Sequence, residues 1–263
     1  MVRQKVEIDS TRRSAPQILE QVAKNGREEL ARSTHALAFS GVAGGLTMGL
    51  TGLSVAIARA SVGDGPNAEI VSHLFYPLGF IAVIIGRAQL FTENTLYPVI
   101  LVLDEKRHLG NMLRLWGVVF TSNVVGALLF ALLAVKAPSV RPEYVRELVK
   151  LGTDALASSG DNIFWSGVIG GWMIALVAWM VSASHWTIGQ IVIIWLVTYV
   201  VGLGHFAHCI AASGEILSAV VAGRATVTGY GHWLGFATLG NIAGGVTIVS
   251  LLNYGQVKAG ESE

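Results

Sequence analysis

Apolar residues fall along this chain in six long blocks, at about residues 34–59, 70–103, 109–136, 161–184, 187–222 and 232–257, with short polar stretches between them. A helix needs about 20 residues to cross a hydrocarbon core of roughly 30 Å, so each block predicts a membrane span. The second and fifth blocks are too long for one simple span, and each holds an interruption. In the second it runs Gly86-Arg87-Ala88-Gln89-Leu90-Phe91-Thr92-Glu93-Asn94-Thr95; in the fifth it runs from Gly202 to Glu215 and carries His205, Phe206 and His208. Ahead of the first block, residues 14–32 space Ile18, Val22 and Leu30 helically among charges, which predicts an amphipathic helix at the membrane surface or solvated beside it. Residues 141–157 predict a short helix between spans three and four, with Pro142 in its first turn.

Composition strengthens this picture. Of the 263 residues, 52% are hydrophobic and 13% charged, whereas a soluble domain carries about 25% charge. Disorder is thereby excluded and a soluble two-domain enzyme disfavoured, and the expected partner is the lipid bilayer. A net charge of +1 gives no argument for nucleic acid. The single cysteine, Cys209, excludes an internal disulfide and a multi-cysteine metal site, and no cofactor is expected. The first apolar run begins near Ala36, behind a polar stretch too long for a signal peptide, so the first span is expected to remain in the membrane. With the N-terminus inside, 11 Lys and Arg fall on the inner side and six on the outer, with Arg87 inside a span; both termini are expected in the cytoplasm. The organisation is then a cytoplasmic N-terminal segment, 1–33, a six-span domain, 34–257, and a cytoplasmic tail, 258–263.

The chain also repeats. Ser40-Gly41-Val42-Ala43-Gly44-Gly45 near the start of span one matches Ser166-Gly167-Val168-Ile169-Gly170-Gly171 near the start of span four. Asn123-x-x-Gly126 in span three matches Asn241-x-x-Gly244 in span six. Two halves of three spans each must run oppositely across the membrane, which is the inverted-repeat design of transport proteins. The predicted fold class is all-α, six spans as a 3+3 inverted repeat, with the second and fifth helices broken.

Broken helices at membrane depth leave backbone groups unpaired and are tolerated only around protein or a watery cavity, so the interruptions are the candidate site. Half-helices starting after Thr95 and near Ala212 would point positive dipole ends inward, favouring an anion. An ionisable residue at the helix centre costs about 2.5–3.5 kcal/mol on insertion scales, so each needs a reason. His208 is either a neutral imidazole bonded to a backbone carbonyl or a proton-exchanging gate. Arg87 and Glu93 form a mutual or intersubunit ion pair, or line the route. Glu215 is a proton relay, or a cap and ion-pair partner. Phe91 and Phe206 are packing groups or constrictions that gate by dewetting.

These features together resemble the formate/nitrite transporter family. The resemblance lies in Leu90-Phe91-Thr92 interrupting span two, His208 in the break of span five, and Asn-x-x-Gly in spans three and six, and it covers about residues 14–257. The stretches FTENT, LRLWGVV and SGEIL are similar to its YfdC-type inner-membrane branch. The resemblance implies an aquaporin-like six-helix protomer in the inner membrane, a homopentamer, and one pore per protomer for a small monovalent anion or its weak acid. It also implies that Leu90, Phe91 and Thr92 form the family's loop, that His208 is the central pore histidine, that Phe206 lies near an aromatic constriction, and that Asn241 is the last-span asparagine.

Two departures stand out. Cys209-Ile210-Ala211-Ala212 follows the histidine where the family has Ser-Ile-Ala-Asn, and Ala155, Ser158, Ser159 and Asp161 stand where it has a lysine, whose asparagine partner falls at Gly171. The reading is a channel for a small monovalent anion or weak acid with pH-dependent permeation, and no enzyme activity. The alternatives are a neutral-solute channel, a closed-pore scaffold or sensor, and, weakest, a haem protein using His35, His73, His205 and His208.

Overall fold

Small hydroxyl residues start most of the long helices. Ser33, Ser159 and Thr226 each accept a hydrogen bond from the backbone N–H three residues on, and Ser14 forms a capping box with Gln17. The computed structural model describes residues 13–261, and every regular element among them is helical. Arg3, Lys5 and Arg12 of the basic N-terminal segment lie outside the described residues, as do the last two residues of the tail.

Helix α1 (Ala15–Ala31) precedes α2 (Thr34–Val62), a short α3 (Ala68–His73) and α4 (Pro77–Ile85). The chain then leaves helical form, makes one tight turn at Glu93–Thr95, and resumes as α5 (Tyr97–Glu105). Next come α6 (Leu109–Lys136), α7 (Pro142–Leu156) and α8 (Gly160–Ala183). Helix α9 (Thr187–Leu203) is separated from α10 (Ala211–Val221) by a second break, and α11 (Val227–Ala243) continues through a wider, π-helical stretch (Gly244–Leu251) into α12 (Leu252–Glu261). Among the described residues, five helical stretches are long and apolar enough to cross a membrane, and α9 and α10 are shorter apolar helices. Outward faces such as Leu128, Leu129, Leu132 and Leu133 of α6 and Ile188 and Leu196 of α9 are exposed and apolar, as a lipid or subunit surface requires.

Close helix packing uses the repeated glycines. A Cβ on Gly44 would strike the Gln89 carbonyl, and one on Gly170 the Ala207 carbonyl, so these two positions let each break press against a neighbouring helix. Helix α1 turns its apolar stripe (Leu19, Val22, Leu30) toward protein rather than lipid, with Gly26 against the Tyr97 carbonyl of α5. Its polar side is tied down as well. Arg13 donates to the Ser182 carbonyl, and Arg27 pairs with Glu105 at 2.9 Å. Hydrogen bonds from His108, Arg107 and Arg27 hold the Glu105 carboxyl down to about 2. The α1 stripe therefore packs on the rest of the protein.

Candidate functional site

Both breaks are made by the same local device. At the end of α4, Ala88 N–H donates to the Val83 carbonyl and Arg87 N–H to the Ile84 carbonyl; at the end of α9, Phe206 N–H donates to Val201 and His205 N–H to Gly202. This pattern closes a helix with its penultimate residue left-handed, a position glycine usually fills. Gly223 does so after α10 with φ +71°, but Arg87 (φ +58°) and His205 (φ +51°) do not. A side chain there costs roughly 1–2 kcal/mol, which the surrounding contacts must offset.

Two asparagines supply much of that support. Asn123 of α6 donates to the carbonyls of Gly41 (2.7 Å) and Gln89 (2.9 Å), while its Oδ1 accepts from Phe91 N–H (2.9 Å). Asn241 of α11 donates to Gly167 (2.8 Å) and Ala207 (2.8 Å) and accepts from Cys209 N–H (2.9 Å). Ser40 Oγ accepts from Gln89 N–H at 3.1 Å, and Ser166 Oγ accepts from Ala207 N–H at 2.9 Å. The pairs 89/207, 91/209 and 123/241 all differ by 118, so the two breaks superpose residue for residue. Each orphaned buried backbone group would cost about 1–3 kcal/mol, so one side chain satisfying two such groups and tying them to a neighbouring helix decides whether a break holds its shape.

The shared register shows where the two breaks differ. His208 stands opposite Leu90, Thr92 opposite Ile210, and Glu93 opposite Ala211. The two breaks meet through a polar contact, Thr92 Oγ1 to His208 Nε2 at 2.7 Å, with both residues fully buried. Ala211 N–H donates to His208 Nδ1 at 3.0 Å. That bond needs a lone pair on Nδ1, so Nε2 carries the proton and donates to Thr92, whose own hydroxyl hydrogen is left to donate elsewhere. Phe80 packs edge-on against the imidazole, ring centroids 5.0 Å apart.

The other candidates fall on both sides of this pair. Leu90 and Phe91 are buried, and the Phe91 ring packs edge-on against Trp116 and Phe120 at 5.7 and 5.1 Å. Phe206 matches Ala88 rather than Phe91, so the two aromatics are not counterparts. Phe206 instead walls a cavity of about 660 Å³, together with Arg59, Glu69, His205, Ala212 and Glu215; His208 does not line it. Glu215 is buried there, and no hydrogen bond or salt bridge joins it to another side chain among the described residues. Because α10 begins only at Ala211, Glu215 does not stand two turns along one helix from His208.

Arg87 and Glu93 are not joined by a salt bridge among the described residues. Arg87 is exposed and Glu93 buried. The polar link on that side runs instead from α1: Gln89 Nε2 donates to Glu29 at 2.6 Å and Asn94 Nδ2 to Gln89 at 2.9 Å. Gln89 and Glu29 carried no recognisable signal in the sequence, because they are joined only once α1 packs against the break. Glu69 and His73, four residues apart on α3, were legible at best as a helical pair.

The formate/nitrite transporter family model matches residues 16–255. The chain is 34% identical to the inner membrane protein YfdC of Escherichia coli (strain K12), over 97% of this chain and 83% of that one. Its fold is similar to an FNT family ion channel (TM-score 0.82, 20% identity, covering 93% of this chain and 99% of the other) and to a pentameric formate channel with formate bound (TM-score 0.73, 18% identity, covering 86% and 98%).

Proposed function

Since the chain belongs to the formate/nitrite transporter family of membrane channels and transporters, we propose that it is a passive or proton-coupled pore for a small monovalent anion or its weak acid. One observation carries this reading: the polar contact of Thr92 with His208 joins the two breaks at the buried centre. A passing anion there meets a hydroxyl hydrogen backed by an imidazole N–H, two hydrogen-bond donors in line, and an imidazole that gains a proton from water becomes a cation that attracts the anion. Leu90, Phe91 and Phe206 supply apolar walls, and Asn241 holds the His208 segment in place. Assembly as a homopentamer in the inner membrane, with both termini in the cytoplasm, accords with the relatives and with the Lys and Arg distribution.

A neutral-solute pore is the second reading, favoured by Glu215, a carboxylate on the cavity wall with no cationic partner within bonding distance among the described residues. Flux into proteoliposomes separates the two. Formate, nitrite, hydrosulfide and lactate are compared with water and glycerol at external values from about pH 5 to pH 8, the range in which an imidazole titrates. Anion flux that changes with pH in the native protein, and is flat in His208→Asn, supports the first reading. Movement of neutral solutes alone overturns it.

A further inference from the structure

The wall of the outer cavity holds a cluster of metal-ligating groups that neither the transport reading nor the family assignment uses. Glu69 and His73 occupy one face of α3 four residues apart, and His205 extends toward them from the left-handed residue that closes α9. One ligand atom from each lies within 4.8 Å of the other two. We propose that Glu69, His73 and His205 bind one divalent ion of the zinc class at this mouth.

The two oxygens of Glu69 are divided between tasks. Oε2 takes the Arg59 guanidinium, while Oε1 lies 2.9 Å from His205 Nε2 and 3.6 Å from His73 Nδ1. Ligands of a tetrahedral zinc ion, at bonds of about 2.0–2.2 Å, are separated by roughly 3.3 Å, so only small adjustments are needed. On binding, His73 gives up the hydrogen bond from Nδ1 to the Glu69 carbonyl, now 2.9 Å. The imidazole rings lie edge to face with centroids 5.3 Å apart, so the exposed His205 ring swings outward for both nitrogens to face the ion. Two imidazoles and one carboxylate select zinc, cobalt or nickel over calcium or magnesium, which prefer oxygen alone. Three protein ligands leave a fourth position for water, and the cavity provides both that water and the path of entry. Arg59 lowers the affinity through its charge, yet its bond to Oε2 fixes the carboxylate as outer partners of metal ligands do. The His205 carbonyl accepts from Ser166 Oγ, which also receives Ala207 N–H, so a bound ion would brace the break that carries His208.

The test reads binding and not flux, so it stands or falls apart from the transport reading. Untagged, detergent-purified protein is titrated with CoCl2 and followed by visible absorption. One tetrahedral cobalt per protomer, displaced by ZnCl2, is expected. His205→Ala, a change at an exposed side chain, should weaken binding by about tenfold or more. X-ray absorption at the zinc edge of the native protein should count two imidazole ligands. No tetrahedral cobalt spectrum, or fewer than two imidazoles on zinc, or affinity unchanged in His205→Ala, overturns the proposal.

Discussion

The two interruptions have the same backbone and different chemistry. Each begins at a left-handed residue, Arg87 or His205, and each is held by one serine and one asparagine from neighbouring helices. At the buried centre the likeness ends. The first offers Leu90 where the second offers His208, and the second offers Ile210 where the first offers Thr92. The repeated residues are therefore those that satisfy backbone groups, and the unrepeated ones are those that meet across the two halves. The supporting helices diverge too. Gly126 sits within regular helix α6, whereas its counterpart Gly244 opens the π-helical stretch, from which Ser250 donates to the Thr95 carbonyl at 2.9 Å. In this chain symmetry serves the frame and its loss serves the site.

The frame can be broken first. Asn123→Ala and Asn241→Ala each orphan two backbone groups of a break, so each should cost about 2 kcal/mol or more. Thermal midpoints in detergent should fall by similar amounts for the two variants, and markedly unequal falls would show that the breaks are not held alike. A smaller effect sharpens the difference between the halves. His208→Leu, which copies the residue at the matched position, leaves Thr92 and the Ala211 N–H without their partner. Its cost should be about 1–3 kcal/mol, with anion flux reduced at least tenfold, about 1.4 kcal/mol in barrier height. Thr92→Val removes the same contact from the other side. The double variant should then be less damaging than the sum of the singles, by about 0.5–3 kcal/mol; simple additivity would mean the contact does not couple the breaks.

The smallest effect concerns the two left-handed residues. Arg87→Gly removes the steric cost of a side chain at φ +58° and should raise stability by up to about 1 kcal/mol, partly offset by the freedom glycine gains in the unfolded chain. An ion pair with Glu93 would give the opposite sign, a lower thermal midpoint. The geometry, an exposed Arg87 and a buried Glu93 without a salt bridge between them, favours the increase.

Much of the frame was legible because its signals are local. The apolar runs, Pro142 in the first turn of α7 and the interruptions at Gly86 and Gly202 are read within a few residues of where they act. Asn123 and Asn241 were visible as a repeated motif, although only the packed structure showed that each holds a break by three hydrogen bonds. Other features had no local signature. Phe91 and Phe206 look like a matched pair in the sequence, but the bonding register sets Phe91 against Cys209. Arg87 and Glu93 look like partners because they are neighbours in the chain, yet the left-handed turn at Arg87 sends the two into different environments.

The sequence by itself pointed to a helical membrane protein with an internal repeat and two interrupted helices, since hydrophobic run length and repeated motifs are read from short stretches of chain. Tertiary structure alone decided that Thr92 bonds His208 across 116 residues, that Glu29 reaches Gln89, and that Glu69 meets His205 at the cavity wall. Those contacts depend on how whole helices cross and how far each backbone turns at its break. Shifts of one or two ångströms there make or lose a hydrogen bond, and no local pattern of residues encodes them.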